Sequence, residues 1–510
     1  MNRVRRTGTV FGSRAEGLAT YDVAAGPTTG TLYVSSTPAS PPDWTRLFAG
    51  STDRPLDIQR PNFGAVFLLK ASSRWFAVTF GTGRHLIEPG CFERRFGLKA
   101  ALNLVDPGAL RSAQSRTLDD SALHIRRQSS RLNDIIGLDV NMDRDLLVDL
   151  AGATGAGEIG KRISGTDPAR LTDEFDLRDL KSRCTALLRA SKKKTYRQHF
   201  SWVDKVEPLQ DPGSVAKLDV EAAGRLLRLD LSGIDIYPPE IVDETITAFR
   251  TPTGTMIMEP EPPWLKRVVT KIAAPDAETL QQRLERLQLK ALNGDGDVVK
   301  SWSIWECLYL EARIDGQIHV LDRGSWYRVE RSFAKAVNDF VATLQPSGLT
   351  LPKALRNEVE GAYNARVAAS VPELLLADKD LVRPVPGESR IEVCDLFGDQ
   401  GHMIHVKRRK GGSSALSHLF GQALVSGLLL AREPQYVDAV RQMLAKQGRN
   451  LPSRVKPTDY PIVLALMMPE LTGNQGNLPF FSKVNLREHA RPLQTAGFAV
   501  FFRRDRGTDR

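Results

Sequence analysis

The apolar residues of this 510-residue chain never run together for long, and this restricts its fold more than any other feature. The longest candidate run, residues 423–431, is about half of the roughly 20 residues that a membrane-spanning helix needs. No apolar segment follows the basic N-terminal sequence MNRVRRTGTVFGSR, so we expect no secretory signal and no membrane. The apolar residues must therefore fill soluble cores, and at roughly 150 residues per domain we expect about three of them.

Composition narrows the class of protein further. Hydrophobic residues make up 41% and charged residues 25% of the chain, which excludes a collagen, a coiled-coil rod and a wholly disordered protein. The four cysteines (Cys91, Cys184, Cys307 and Cys394) form no CxxC pair and show no metal-ligand spacing. We therefore expect reduced thiols and a cytoplasmic location.

Positive charge is concentrated toward the C-terminus. The net charge is +10, and residues 351–510 contain 23 basic and 16 acidic residues, so 23 minus 16, or +7, lies in less than a third of the chain. An excess of this kind favours a polyanionic partner such as nucleic acid, although simple solubility explains it as well.

The hydrophobic patterning predicts a multidomain protein of mixed α/β and α+β class. The three predicted domains are a β-rich N-terminal domain, 1–150, a mixed α+β middle domain, 151–345, and an α/β domain, 346–510.

Two glycine-containing segments of the first half predict turns and connections. Residues 75–87 predict a β-hairpin that turns through Gly81 and Gly83, and the polar residues 106–134 predict an irregular connection. The glycine-rich residues 152–165 do not match the phosphate loop GxxxxGK[ST], so a flexible connection is the better interpretation.

The last domain has a regular order of predicted elements, αβββαβ followed by αβ. These are helix 354–369, strands 374–377, 391–397 and 403–408, helix 414–431, strand 462–467, helix 484–496 and strand 498–502.

Two neighbouring strands of this domain carry polar residues that suit phosphodiester chemistry. The strand IEVCD ends in Asp395, and the strand MIHVKR places His405 and Lys407 on one face. A hairpin between the strands would bring Asp395 beside both. Mg²⁺ prefers carboxylate oxygens, and a lysine beside the metal can orient or deprotonate an attacking water.

A third acid is expected from the preceding helix. Glu360 is the natural candidate, with Glu358 as its competitor. The two point about 200° apart on a helical wheel, so only one of them can face the site. After the second strand, Arg408, Arg409 and Lys410 precede a Gly-Gly-Ser-Ser turn. Glycines and a helix N-terminus at Ser413 and Ser414 would favour a bound phosphate, although a basic turn with an ordinary helix cap fits equally.

A helix acid, a strand aspartate and a following strand that ends in x-x-K resemble the PD-(D/E)XK nucleases, whose core is restriction-endonuclease-like. The whole chain also resembles a sporadically distributed family of uncharacterised bacterial proteins through its segments FGTGR, GSWYRV, HVKRR and SHLFGQALVS. The nuclease resemblance implies Asp395 and Glu360 as ligands of Mg²⁺ or Mn²⁺ and Lys407 as the catalytic lysine. It also implies bacterial defence against foreign DNA, and RNA remains open as a substrate.

One position departs from the nuclease pattern. His405 stands where these nucleases have an acid, and imidazole suits Mn²⁺ better than Mg²⁺. The sequence therefore leaves two functions open: a metal-dependent DNA nuclease in which His405 contributes to the site, or a nucleic-acid-binding or scaffold protein with an inactive nuclease-like domain. Protein partners in a defence complex and a homo-oligomer fit either function.

Overall fold

In the computed structural model the chain forms two compact units. Unit 1 comprises Met1–Ser115, Ile125–Val140 and Leu147–Ser201, and unit 2 comprises Arg116–His124, Asn141–Leu146 and Trp202–Arg510. The structure describes residues 10–11, 17–40, 51–52, 54, 60–88, 91–117, 123–155, 159–174, 176–239, 245–355, 358–378, 381–383, 390–408, 414–467 and 478–504. Within these ranges there are eleven α-helices and six sheets, so the predicted α+β, multidomain class is confirmed. In the same ranges, no helix combines the length and the apolar character needed to cross a bilayer.

Unit 1 is built mainly from two sheets. Its strands are β1 (Ala19–Ala25), β2 (Thr28–Ser40), β3 (Arg60–Ala71), β4 (Arg74–Gly81), β5 (Val105–Thr117), β6 (His124–Asn133), β7 (Asp145–Thr154), β8 (Arg162–Gly165) and β9 (Ala169–Thr172). Its helices are α1 (Phe96–Leu104), α2 (Leu180–Lys192) and α3 (Arg197–Phe200). The first sheet has the order β1-β2-β3-β4 and the second β6-β5-β7-β8-β9.

Two expectations for this region were wrong. Residues 75–87 do not form a hairpin: β4 pairs back onto β3, and a 3₁₀ turn, Gly83–Leu86, follows it. A Cβ on Gly83 would lie 2.0 Å from the carbonyl oxygen of Ala65, so this glycine serves close packing. Residues 106–134 are largely strands β5 and β6 rather than an irregular connection, because their Arg and Ser side chains sit on strands that are only half-buried.

The first part of unit 2 contains two antiparallel sheets and four helices. The strands are β10 (Val206–Pro208), β11 (Ile234–Ile236), β12 (Ala248–Arg250), β13 (Met256–Ile257), β14 (Gln288–Leu292), β15 (Val298–Ser303), β16 (Leu308–Ile314), β17 (Gln317–Asp322) and β18 (Ser325–Val329). The helices are α4 (Pro212–Leu227), α5 (Pro262–Ile272), α6 (Ala277–Arg286) and α7 (Arg331–Thr343). The sheet orders are β10-β18-β17-β16-β11 and β13-β12-β14-β15. Asp276 caps α6 by accepting a hydrogen bond from the Thr279 N–H at 2.7 Å.

The last part of unit 2 surrounds a mixed five-stranded sheet. Its elements are α8 (Glu360–Ser370), β19 (Leu374–Leu376), β20 (Leu381–Val382), β21 (Ile391–Glu392), β22 (Leu396–Gly398), β23 (Met403–Arg408), α9 (Ser414–Arg432), α10 (Pro434–Ala445), β24 (Ile462–Met467), α11 (Phe480–Thr495) and β25 (Val500–Arg504). The order is β19-β22-β23-β24-β25, and β20 and β21 form a separate two-stranded ribbon. β19, β22 and β23 are antiparallel neighbours, whereas β23, β24 and β25 run parallel.

Helices cover both faces of this sheet. Val463 and Ala465 of β24 pack with Tyr363 of α8, whereas Leu464 lies in the cluster that contains Leu419 of α9. Every residue of β24 is buried, as expected for a central parallel strand covered on both faces.

The predicted strand 391–397 is interrupted in the structure. β21 ends at Glu392 and β22 begins at Leu396, so Asp395 lies in a bend between them. Helix α8 begins at Glu360, six residues after its predicted start, and α10 was not predicted.

Candidate functional site

Strand β23 extends beyond its antiparallel neighbour β22, and the site forms at this extension. Only the first two residues of β23 pair with β22. The N–H groups of Val406 and Arg408 point to the same edge, because successive N–H groups of a strand alternate in direction. Two carboxylates accept hydrogen bonds there: Asp395 Oδ2 from Val406 N at 2.8 Å and Glu360 Oε2 from Arg408 N at 3.3 Å.

Asp395 is fixed in place by its backbone and by its side chain. Its N–H donates to the Ile404 carbonyl at 3.0 Å, and its own carbonyl accepts from the Ala377 N–H at 2.9 Å. Its Oδ1 accepts a hydrogen bond from Asn364 Nδ2 of α8 at 3.0 Å. The side chain is therefore held between α8 and the edge of β23, and the residue is only 6% exposed.

The environment of Asp395 favours its protonated form. Burial raises the pKa of this carboxyl to about 7; the Val406 hydrogen bond opposes the rise, and the nearby charges of Glu392, Glu360 and Asp378 add to it. A cation at this position would relieve the same repulsion.

Three carboxylates converge at this point. Oxygens of Asp378, Glu392 and Asp395 lie within 4.8 Å of one another. The amide of Asn364 also donates to Asp378 Oδ2 at 3.4 Å, and Gln422 Nε2 of α9 donates to Glu392 Oε2 at 3.0 Å. We call Asp378, Glu392 and Asp395 the acidic cluster.

The acidic cluster has the chemistry of a hard-cation site. Two oxygens bound to one Mg²⁺ at about 2.0–2.1 Å can be no more than about 4.2 Å apart, so the cluster would need to contract only slightly. The Oδ1 atom of Asn364 is buried and has no hydrogen-bond partner among the described residues. Rotation of that amide would turn this oxygen toward the cluster and supply a further oxygen donor.

The predicted catalytic lysine lies beside the cluster, paired with the predicted helix acid. Lys407 Nζ contacts Glu360 Oε1 at 2.8 Å, and both side chains are partly exposed, at 22% and 31%. Glu360 is not one of the three clustered acids. Its competitor Glu358 precedes α8 and pairs with Arg366 at 2.7 Å instead.

His405 is not a member of the acidic cluster. Its side chain lies on the opposite face of β23 from that of Val406, because successive side chains of a strand alternate. This is the face of its register partner Leu464 of β24, which packs against α9. His405 is 2% exposed, and its Nε2 has no hydrogen-bond partner among the described residues. Burial lowers the pKa of this imidazole to about 4, so it is neutral at physiological pH.

The predicted phosphate-binding segment is only partly described. Arg408 is half-buried at the end of β23. Arg409, Lys410 and Ser413 lie outside the described residues. Ser414 begins α9, and its side chain is likewise outside the description.

Sequence reasoning missed three of the residues that surround Asp395. Glu392 precedes Asp395 by three positions, and only the strand break between them brings both carboxylates to one place. Asn364 follows Glu360 by four residues on α8, so the two lie on one helix face. That spacing was a usable signal. Asp378, in contrast, follows a short strand and has no distinctive sequence context.

A sequence model described as "Family of unknown function (DUF6119)" matches residues 6–504 of the chain. No curated protein and no solved structure matches it.

Proposed function

The chain belongs to the family of unknown function DUF6119, and from its site we propose that it is a metal-dependent nuclease that hydrolyses phosphodiester bonds of DNA, in defence against foreign DNA. The acidic cluster beside the Lys407–Glu360 pair carries this proposal. Three carboxylate oxygens and a neighbouring ammonium group suit a substrate whose reacting centre is a phosphate.

The order of elements around the cluster supports a restriction-endonuclease-like core. Helix α8 is followed by β19, β22 and β23, then by α9 and β24, and the four strands are neighbours in that order. Apart from the insertion of β20, β21 and α10, this order agrees with the αβββαβ arrangement that the nuclease resemblance implies. The candidate acids and the lysine lie along β23 and its neighbours in this arrangement.

The acidic cluster would hold Mg²⁺ or Mn²⁺. Such an ion, when bound, polarises a phosphoryl oxygen and acidifies a bound water. Asn364 and Gln422 keep the carboxylates in position through their amide groups. Ionised Asp395 is the form that binds a cation, so a neutral or alkaline pH favours binding.

Lys407 has two roles in this proposal. Its ammonium group neutralises the charge that develops on the phosphate and orients the attacking water. Glu360 holds Lys407 by the ion pair and, through the Arg408 N–H, fixes the end of β23. Glu360 is therefore a positioning residue, in contrast to the metal ligand that the resemblance implies.

The proposal is tested by nicking of supercoiled plasmid DNA with Mg²⁺ or Mn²⁺ and with EDTA. The wild type should nick DNA only with metal. Asp395→Asn, Glu392→Gln and Lys407→Ala should each reduce the rate by at least about a hundredfold, the lower range for loss of one catalytic group. Lys446→Ala is a matched control, because Lys446 is an exposed lysine of the same region that follows α10.

The second function, a nucleic-acid-binding or scaffold protein with an inactive nuclease-like domain, is favoured by the burial of His405 where an acid is usual. Binding of DNA by the wild type with no nicking in either metal would support it and overturn the nuclease. Isothermal titration with Mn²⁺ separates the two independently, because a scaffold need not bind metal at the acidic cluster.

A further inference from the structure

The ribbon of β20 and β21 lies next to the acidic cluster and has two different faces. Leu381 pairs with Glu392 and Val382 with Ile391. Val382 and Ile391 pack into the core beneath the ribbon, together with residues of α9 and α10. The opposite face is directed outward, and Glu392 on that face joins the acidic cluster.

Two arginines continue this outward face. Arg383 follows Val382 and Arg390 precedes Ile391, one residue beyond the paired residues of the ribbon, so the alternation of side chains places both on the face of Leu381 and Glu392. Both arginines are exposed, and neither forms an ion pair within the described part of the chain.

Glu392 on the same face supplies one negative charge against the two positive charges of the arginines. Two guanidinium groups on one face can bind the oxygens of a phosphate from both sides, because each presents a planar fork of donors. Arg390 is two residues from Glu392 on the same strand, so a phosphate held there would lie close to the acidic cluster.

We infer that the outer face of the β20–β21 ribbon, through Arg383 and Arg390, binds the phosphate backbone of the nucleic-acid strand and seats it at the acidic cluster. This inference rests on the proposed nuclease function and names the residues that hold its substrate. The half-exposed Leu381, at 47%, provides an apolar contact for a sugar on the same face.

The inference is tested by binding, so that it does not depend on cleavage. Fluorescence anisotropy with labelled duplex DNA in EDTA gives affinity as a function of salt. The double variant Arg383→Ala/Arg390→Ala should bind more weakly and lower the slope of log K against log salt by about 1.8, or about 0.9 per phosphate contact. Arg383→Lys/Arg390→Lys should retain most of the slope.

Arg432 and Arg454 provide the matched controls. Both are exposed, and Arg432 is ten residues beyond Gln422 on α9, or about 15 Å along the helix axis. Arg432→Ala/Arg454→Ala removes the same charge and should leave the slope almost unchanged. An equal loss of slope in the two double variants would show only a general charge effect and would overturn the inference. A wild type that binds no DNA would also overturn it.

Nicking assays separate this inference from the nuclease proposal. In an active enzyme, the ribbon variant should raise KM while kcat stays within a few fold, and Mn²⁺ binding should not change. If the wild type binds DNA with an affinity that depends on the ribbon arginines but never nicks it, the inference about the ribbon stands and the nuclease proposal is wrong. If the ribbon variant nicks DNA with an unchanged KM and an unchanged salt slope, the nuclease proposal stands and the inference about the ribbon is wrong.

Discussion

The pKa of Asp395 makes the stability of the protein depend on pH. In the unfolded chain its pKa is near the ordinary value of about 3.9, and in the fold burial and neighbouring acids raise it to about 7. The folded protein therefore binds an extra proton between these pH values. The stability that this proton contributes is present below pH 4 and is lost as the pH rises through 7.

We expect Asp395→Asn to remove this pH dependence. From pH 4 to pH 8 without metal, the wild type should lose about 4 kcal/mol of unfolding free energy relative to the variant, roughly three pKa units at 1.36 kcal/mol each. Urea unfolding of both proteins across this range measures the difference. Contributions of groups that do not interact with Asp395 cancel in the comparison, and parallel curves would contradict the assignment.

His405 behaves with the opposite sign. Its folded pKa of about 4 lies below the ordinary value of about 6.5, so the neutral form stabilises the fold above pH 6.5 and this stability is lost toward pH 4. An ionised acid at this buried position would be much less favourable than an apolar side chain.

We therefore expect His405→Leu to change the unfolding free energy by no more than about 1.5 kcal/mol at pH 7.5, as volume-conserving core substitutions do. His405→Glu should destabilise by several kcal/mol, even though it restores the usual nuclease acid. Urea unfolding measures both. If His405→Leu folds normally but loses all metal-dependent nicking, then His405 acts in the site and this assignment is wrong.

At the scale of elements, helix α9 approaches its neighbours through a glycine. A Cβ on Gly427 would lie 2.6 Å from Leu493 Cδ2 of α11 and 2.8 Å from Ile462 Cδ1 of β24. Gly421 in the same helix has open space around its Cβ position. Alanine substitution at the two glycines therefore distinguishes the effect of tight packing on stability from the effect of helix propensity.

We expect Gly427→Ala to destabilise the protein by about 0.5–2 kcal/mol, because overpacking costs about 1–3 kcal/mol and the higher helix propensity of alanine offsets about 0.5–1 kcal/mol of it. Gly421→Ala should stabilise it by about 0.5–1 kcal/mol, because alanine favours a helix interior. Thermal and urea unfolding of the two variants measure these opposite effects. A neutral Gly427→Ala would show that α9 can move away from α11 without loss.

The sequence predicted elements better than it predicted their interruptions. Strand 462–467 was predicted to the residue, since a fully buried strand is an unbroken apolar run. The break between Glu392 and Leu396 was not predicted, because IEVCDLF is a mostly apolar run without Gly or Pro and is typical of one continuous strand. That break decides which carboxylates meet, so Asp395 was predictable as a candidate, whereas its partnership with Asp378 depends on tertiary contacts.

At the scale of the whole molecule, helix α11 joins the region around the mixed five-stranded sheet to the rest of unit 2. The N–H groups of Phe480 and Phe481 at the start of α11 donate to the carboxylate of Glu311 on β16, at 2.6 and 3.2 Å. Both phenylalanines lie in a core cluster with Val337 of α7. Arg487, which is 3% exposed at its side chain, pairs with Asp143 at 3.1 Å. Residues on both sides of position 346 thus share one hydrophobic cluster.

We expect the isolated fragment 346–510 to lack a cooperative unfolding transition, although it contains the whole αβββαβ sequence. Without residues 202–345, the apolar face of α11 is exposed, and the N–H groups of Phe480 and Phe481 lose the Glu311 carboxylate. Fragment 202–510 restores these partners but not Asp143, so it should unfold cooperatively at a lower temperature than the full chain, because the buried Arg487 keeps only the carboxylate of Glu488 as an ion-pair partner. Circular dichroism melting of the three proteins measures this order. A cooperative transition of 346–510 alone, at the temperature of the full chain, would show that the region is an autonomous domain and that α11 needs none of these contacts.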